Sequence, residues 1–264
     1  MCAHRVKRYL YQHGSAHPAV REWGLGEFYP LFGLKRKEKG PLSETMNAHI
    51  LTMNIRRTLS EAEIVETVLP LCPELKLYLL KPHNVQRAFT GEEIALLQAN
   101  PPYWSLCWAS GHAMARFIFE NKEMFEGKDI LDFGTGSGVT AVALAMAGAA
   151  RVTACDMDQD AIDAAKTNAA LNRVRLEVSL SLEEISREID MIVASDILYD
   201  RENLSILGYL LDSAPDIIVA ESRVKSIDVP PYQEIADMEA PMVPDLDAFD
   251  PYRHVMIYRA LREP

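Results

Sequence analysis

Four carboxylate side chains lie at the carboxyl ends of four predicted strands of this chain. They are Asp132, Asp156, Asp196 and Glu221. Ligands of an open parallel sheet bind beyond the carboxyl ends of its strands, so these acids are expected to meet at one edge. Carboxylates gathered there can hold an amino group, a pair of ribose hydroxyls or an ammonium ion.

A glycine-rich loop follows the first of these acids, in the run L-D-F-G-T-G-S-G over residues 131–138. Glycine permits positive φ and a close approach of the backbone to a ligand, and a helix predicted from about Val139 would point free N–H groups at the same crevice. The spacing differs from the G-x-G-x-x-G of dinucleotide sites, because Val139 stands where the third glycine would fall. No Lys-Ser or Lys-Thr pair follows the loop, which excludes a phosphate-binding P-loop.

The acids around the loop distinguish between the ligands that it could hold. Asp132, two residues before Gly134, would repel a pyrophosphate but suits a positively charged amino group, and Asp156 is placed to accept both hydroxyls of a ribose. A ligand with an amino-acid end, a ribose and no phosphate is S-adenosylmethionine, which is therefore the predicted cofactor. Trp108 offers an aromatic face to its cationic sulfonium. The alternative is a tight strand-to-helix turn with two surface acids.

Composition sets the class of protein. The chain has 264 residues, 48% of them hydrophobic, which is enough for one α/β domain and a smaller appendage. A net charge of −11 argues against nucleic acid as a partner, since a phosphate backbone requires a basic face. The four cysteines are scattered without C-x-x-C pairing, which predicts reduced thiols and no metal site. Without a predicted signal sequence or bilayer-spanning run, a cytoplasmic monomer with no membrane partner is expected.

Three regions are predicted along the chain: a basic, flexible arm over 1–45, an accessory layer over 46–100 and a main domain over 101–264. In the accessory layer, Ser60 and Glu63 form a capping-box pattern that predicts a helix through Leu69. A half-exposed strand is predicted over 75–79 and a second helix after Thr90.

The main domain alternates predicted strands and helices, beginning with a helix over 112–121. Strands are expected at 130–133, 152–155, 176–180, 191–194 and 217–220, and Ser181 with Glu184 predicts a capped helix after the third of them. This rhythm predicts a Rossmann-like, doubly wound α/β sheet of seven strands. Residues 232–243 and 253–261 are predicted to close it as an antiparallel C-terminal hairpin.

Several motifs between Pro101 and Asp200 occur together in a known family. They are P-P-Y-W, W-A-S-G, L-D-F-G-T-G-S-G, A-C-D-M-D and S-D-I-L-Y-D. With C-P-E-L-K-L at 72–77, they make residues 70–261 resemble the seven-β-strand (class I) S-adenosylmethionine-dependent protein lysine methyltransferases. The similarity is strongest to the branch with the lysine methyltransferase of the electron-transfer flavoprotein β subunit and bacterial relatives labelled nicotinamide N-methylases. Residues 101–264 would then be the methyltransferase domain.

The resemblance implies a role for each matching residue. Asp156 would bind the ribose, while Asp196 and Tyr199 would face the acceptor amine, with Asp196 also next to the cofactor. The remaining cofactor-binding residues it implies are Trp108, Asp132, Gly134, Thr135, Gly136, Gly138 and Met157. The chain departs from the family at Ser181, where an acid or amide is usual, and at A-E-S-R over 220–223, where the family has G-D-P-x-R.

Three functions stay open at this stage. The first is a protein lysine N-methyltransferase whose partner is a protein with an exposed lysine. The second is a small-molecule N-methyltransferase that acts on a nicotinamide-like or amine substrate. The third is a non-catalytic scaffold that keeps the fold, against which the three intact acids Asp132, Asp156 and Asp196 argue.

Overall fold

The computed structural model describes residues 44–198, 204–224, 226–245 and 252–262. Its helices are α1 (Glu44–Ile55), α2 (Gly91–Ala99), α3 (Ala109–Glu120), α4 (Val139–Met146), α5 (Gln159–Leu171) and α6 (Ser205–Ser213). Its strands are β1 (Ile64–Val68), β2 (Lys76–Leu80), β3 (Asp129–Phe133), β4 (Arg151–Cys155), β5 (Glu177–Ser179), β6 (Met191–Ser195), β7 (Asp216–Glu221), β8 (Gln233–Glu239) and β9 (His254–Leu261). Within these ranges, no helix is long and apolar enough to cross a membrane.

The main sheet has seven strands in the order β5-β4-β3-β6-β7-β9-β8. Strands β3 to β7 pair in parallel, whereas β9 runs antiparallel to both β7 and β8. The predicted doubly wound sheet with its closing hairpin is therefore confirmed. The central strands are apolar on both faces because helices cover both, as parallel sheets require.

The two faces of the sheet have separate cores. Val193 and Ala220 point to the face covered by α3 and α4, which are rich in small residues that allow close packing. Ile192 and Ile217 point to the other face, where Leu207 and Leu210 of α6 cover them. Because successive side chains of a strand point to opposite faces, this alternation also determines the direction of the side chains at the carboxyl ends of the strands, where the site lies.

The helix predicted from Ser60 through Leu69 is wrong. Residues Ile64–Val68 form β1, which pairs antiparallel with β2. The run I-V-E-T-V is mostly β-branched, and such side chains fit a paired strand better than a helix. The predicted strand near 75–79 is confirmed as β2, although it is buried from Leu77 to Leu80 rather than half-exposed.

Two other local predictions need correction. Helix α3 begins at Ala109, three residues before the expected start, with Trp108 at its N-cap. The predicted capped helix at Ser181 is a short 3-10 helix, Leu182–Glu184, and the Ser181 side chain makes no capping hydrogen bond to it. Glu184 instead accepts a hydrogen bond from the Ser179 hydroxyl at 3.0 Å. The helix after Thr90 is confirmed as α2, with both hydrogen bonds of the capping box formed.

Two asparagines of α5 hold the small sheet against the main domain. The Asn168 side chain accepts from the Tyr78 backbone N–H at 2.7 Å and donates to the Ser137 carbonyl at 2.8 Å. One turn later, Asn172 pairs with both backbone groups of Lys76, at 3.0 and 2.6 Å. The two asparagines are four residues apart on one face of α5, and their partners are two residues apart on one edge of β2, so both bonds can form together. Asn168 thereby connects β2 to the glycine loop. The predicted boundaries at 45 and 100 stay predictions.

Candidate active site

The carboxyl ends of β4, β3 and β6, neighbours at the middle of the sheet, form one crevice with the glycine loop. Gly134, Gly136 and Gly138 all have positive φ, at 73°, 50° and 81°. A Cβ built on Gly138 would lie 2.7 Å from the Ala165 Cα, so this glycine lets the loop pack on α5. A Cβ on Gly136 would meet no atom within 4 Å, so the loop leaves open space there, above β3.

Asp132, the last buried residue of β3, is turned toward the start of α4. Its Oδ2 accepts hydrogen bonds from the Thr135 hydroxyl at 2.6 Å and the Ala141 N–H at 3.1 Å. Burial raises the pKa of Asp132 to about 7, because the two hydrogen bonds offset only part of the desolvation of its charge. A cationic group beside it would restore the ionised form.

Asp156 follows β4 and faces the same loop. Its Oδ2 accepts from the Gly136 N–H at 2.9 Å, and its Oδ1 accepts from the Asp158 N–H at 3.0 Å. Burial raises the pKa of this carboxyl, and the two N–H groups oppose that shift. Each oxygen retains a lone pair that a hydroxyl can use. Met157, the next residue, is 86% exposed, which is unusual for a large apolar side chain.

Trp108 precedes α3 and is partly exposed. Its Nε1 donates to the Tyr103 carbonyl at 3.0 Å, and the Tyr103 and Trp108 rings stack edge to face at 5.7 Å. These contacts fix the orientation of the indole.

Gly111 allows α3 to approach α4, because a Cβ there would lie 2.8 Å from the Val139 side chain.

Asp196, directly after β6, adopts a left-handed backbone with φ of 54°. Its Oδ1 accepts hydrogen bonds from the Ser110 hydroxyl at 2.6 Å and the Ser222 hydroxyl at 2.8 Å. Sequence reasoning missed both serines. A small polar residue in the first turn of a helix and another after a strand are the signals that could have drawn attention to them.

Glu221, the last residue of β7, is fully buried. Its Oε1 accepts from the Leu198 N–H at 2.9 Å, whereas its Oε2 is buried without a hydrogen-bond partner among the residues that the structure describes. Burial first, and the charge of Asp196 second, raise the pKa of Glu221 well above its ordinary value. The Glu221 carboxyl group therefore holds the turn after Asp196 through its hydrogen bond with Leu198.

Most of the predicted site residues lie together in this crevice. Asp132, Thr135, Asp156 and the three glycines surround one loop, and Asp196 lies at the end of the neighbouring strand. Tyr199, the other predicted acceptor-side residue, lies outside the described residues. Across the part of the chain that the structure describes, no group of three or more potential metal ligands is found, and Cys72, Cys107 and Cys155 are buried free thiols.

The region that contains the glycine loop and strands β3 to β6 is similar to known proteins. Residues 114–216 match the family model described as ribosomal protein L11 methyltransferase. The chain is 34% identical over 157 residues to the electron transfer flavoprotein beta subunit lysine methyltransferase of Homo sapiens, across 58% of each chain. The Rattus norvegicus protein of the same name is 33% identical over 155 residues.

A second group of relatives shares a shorter segment. The ribosomal protein L11 methyltransferase of Shewanella woodyi is 45% identical over 74 residues, which is 27% of this chain and 25% of that protein. The chain thus spans less than two thirds of the length of the curated relatives that it matches. These similarities confirm the resemblance that the motifs indicated: the chain is similar to class I methyltransferases, and in particular to the lysine methyltransferases of the electron transfer flavoprotein beta subunit.

Proposed function

We propose that the protein is an S-adenosylmethionine-dependent methyltransferase that methylates a lysine ε-amine of a protein. One observation carries the proposal: three carboxylates, Asp132, Asp156 and Asp196, lie at the carboxyl ends of three adjacent strands around an open glycine loop. The names of the relatives add support, since they describe protein methyltransferases.

The residues of the crevice fit the cofactor. Asp132 would hold its amino group, and Asp156, with one N–H bonded to each oxygen, would bind the ribose hydroxyls. The open space above Gly136 gives the ligand access to the backbone. Gly134, Thr135 and Gly138 shape this cradle, and the exposed Met157 and the fixed Trp108 ring supply apolar contact. When bound, S-adenosylmethionine supplies an electrophilic methyl group.

The acceptor half of the crevice suits a lysine. A free lysine has a pKa of about 10.4, so its amine arrives protonated and must lose a proton before it can attack. Asp196 would hold the ammonium by a charge-assisted hydrogen bond and orient the lone pair as the proton leaves to water. Such positioning supplies on the order of 7–11 kcal/mol in well-aligned reactions. Tyr199 is proposed to line the same channel.

The acceptor is proposed to be the beta subunit of an electron transfer flavoprotein, by similarity to the relatives that carry this name. Ribosomal protein L11 is the second candidate, because the matched family model and the Shewanella woodyi relative are L11 methyltransferases. A nicotinamide-like acceptor is the small-molecule alternative. A cytoplasmic location and a monomeric state belong to the same proposal, and cell fractionation and light scattering test them.

Calorimetric titration with S-adenosylmethionine and its demethylated product tests the cofactor. Micromolar binding is expected from the purified 264-residue chain, and no binding by a folded sample would remove both methyltransferase functions and favour the scaffold. Transfer of a radiolabelled methyl group is then compared for electron transfer flavoprotein, L11 and nicotinamide, with mass spectrometry to locate the modified atom. Label only on nicotinamide would replace the lysine proposal.

Asp196→Asn tests the proposed acid. Asparagine tolerates the left-handed backbone and still accepts from the serine hydroxyls, so the variant removes the charge alone. Methyl transfer is expected to fall about 10²- to 10⁴-fold while the cofactor still binds. Wild-type turnover by this variant would exclude Asp196 from the reaction.

A further inference from the structure

The Asp196 carboxylate is held by two hydroxyls from different parts of the chain. Ser110 comes from the first turn of α3 and is fully buried, and Ser222 follows β7. Both donate to the same oxygen, Oδ1, at 2.6 and 2.8 Å. Two donors on one oxygen define the rotation of a carboxylate far better than one, because they fix the plane as well as the direction.

This arrangement leaves the second oxygen available. Among the residues that the structure describes, none donates a hydrogen bond to the Oδ2 of Asp196. The backbone is fixed as well, since the Asp196 N–H donates to the Ala220 carbonyl at 3.0 Å and Glu221 holds the Leu198 N–H. The Asp196 carboxylate is therefore held at Oδ1, and its backbone is held in the left-handed conformation. Its Oδ2 is then available to accept a hydrogen bond from a bound ligand.

We propose that Ser110 and Ser222 are positioning residues for methyl transfer, whose hydroxyls fix the Asp196 carboxylate so that its Oδ2 accepts the ammonium of the incoming amine. This inference rests on the proposed function. In this proposal the hydroxyls act through Asp196 and not directly on the cofactor or the acceptor. It predicts that the serines affect the rate of transfer and not cofactor binding.

A purely structural role is the competing explanation, since a buried hydroxyl also needs a partner for stability. Ser105 provides the matched control: it is 1% exposed, and its hydroxyl donates to the Pro102 carbonyl at 2.8 Å, away from Asp196. Ser105→Ala loses one buried hydroxyl bond, as Ser110→Ala does. The two variants are therefore expected to have similar melting temperatures and different rates.

The experiment measures kcat and KM for Ser110→Ala, Ser222→Ala and the double variant, with electron transfer flavoprotein and L11 as acceptors. A 10- to 100-fold fall in kcat, on the order expected for a misplaced group, is predicted for the double variant, with the cofactor Kd unchanged. Ser222→Thr keeps the hydroxyl and should retain most of the rate. In the Asp196→Asn background, the serine substitutions should cost nothing more, because the charge they position is absent.

Three results would overturn the inference: wild-type kcat in the double variant, a rate loss equal to that of Ser105→Ala, or full additivity with Asp196→Asn. If the wild-type protein binds the cofactor but methylates none of the probes, the proposed acceptor class fails, and a crystal structure of the double variant decides the positioning inference by itself. A changed side-chain rotamer of Asp196 in the double variant would support the inference, and an unchanged rotamer would contradict it.

Discussion

The crevice has a proposed cofactor half, with Asp132 and Asp156, and a proposed acceptor half, with Asp196 and Glu221. These halves differ in where their carboxylates find hydrogen-bond partners. In the cofactor half, Asp132 and Asp156 bond to residues between two and twenty positions away, all within one strand-loop-helix unit and the turn after the next strand. In the acceptor half, Asp196 bonds to Ser110, 86 positions away, and to Ser222, 26 positions away. The cofactor half is thus built by local sequence, and the acceptor half by the meeting of three distant segments.

The halves also differ in whether their buried polar atoms all form hydrogen bonds. Within the described part of the chain, the Glu221 Oε2 and the Ser195 hydroxyl are buried without hydrogen-bond partners, and both lie at the strand ends of the acceptor half. Unpaired buried polar atoms are costly, and they concentrate where a protein handles protons or ligands. The comparison suggests a preformed cofactor cradle next to an acceptor site that retains unused hydrogen-bonding capacity.

The largest expected effect separates two glycines of the cofactor cradle. Gly138→Ala should lower the free energy of unfolding by about 3 kcal/mol, because the new Cβ would meet the Ala165 backbone at 2.7 Å in a left-handed conformation. Gly136→Ala meets no atom and should cost about 1 kcal/mol of strain. Urea unfolding measures both, and equal losses would contradict the assignment of Gly138 to packing and Gly136 to the ligand.

Asp132→Asn tests the cradle electrostatically. The side chain is buried and has nearly the same shape as asparagine, so the fold should persist while cofactor affinity falls roughly 10- to 100-fold with the lost charge. Asp129→Asn, at the opposite end of β3, is the control and should bind normally. Calorimetry measures both, and unchanged affinity in Asp132→Asn would remove this acid from the cofactor site.

Glu221 offers the corresponding test in the acceptor half. Burial disfavours the charged form of Glu221 and holds its pKa well above the ordinary value, so glutamine should replace it with little loss of stability. Glu221→Ala deprives the Leu198 N–H of its acceptor and should cost about 2 kcal/mol. Thermal unfolding of both variants is the measurement, and a glutamine variant as unstable as the alanine variant would mean that Glu221 is ionised.

The smallest expected effect is a pH dependence confined to the cofactor half. The pKa of Asp132 is about 7, so the acid is mostly protonated at pH 6 and mostly ionised at pH 7.5. Since only the ionised form attracts an ammonium group, cofactor affinity should rise by on the order of tenfold across this interval. Asp132→Asn should abolish the dependence, and a persistent slope in that variant would assign it to another group.

The sequence by itself determined the cofactor half. The run from Leu131 to Gly138 specified a strand, a left-handed loop and a helix, because a short apolar stretch, three glycines and a run of small residues act through neighbouring positions. The doubly wound sheet and its closing hairpin also followed, since alternation of strands and helices restricts the connections that a sheet allows. The local capping pattern at Ser60 failed because β-branched residues could pair with β2, a partner that no local rule sees.

Only the tertiary structure decided the acceptor half. Nothing near Asp196 in the chain announces Ser110 or Ser222, because the three residues meet only when α3, β6 and β7 pack together. The same holds for Asn168, whose side chain bonds to Tyr78 of β2, 90 positions away, and to Ser137 of the glycine loop. Local sequence encodes backbone conformation, whereas hydrogen bonds between distant segments depend on how the whole core is filled, and here those bonds decide which oxygen of Asp196 is free to act.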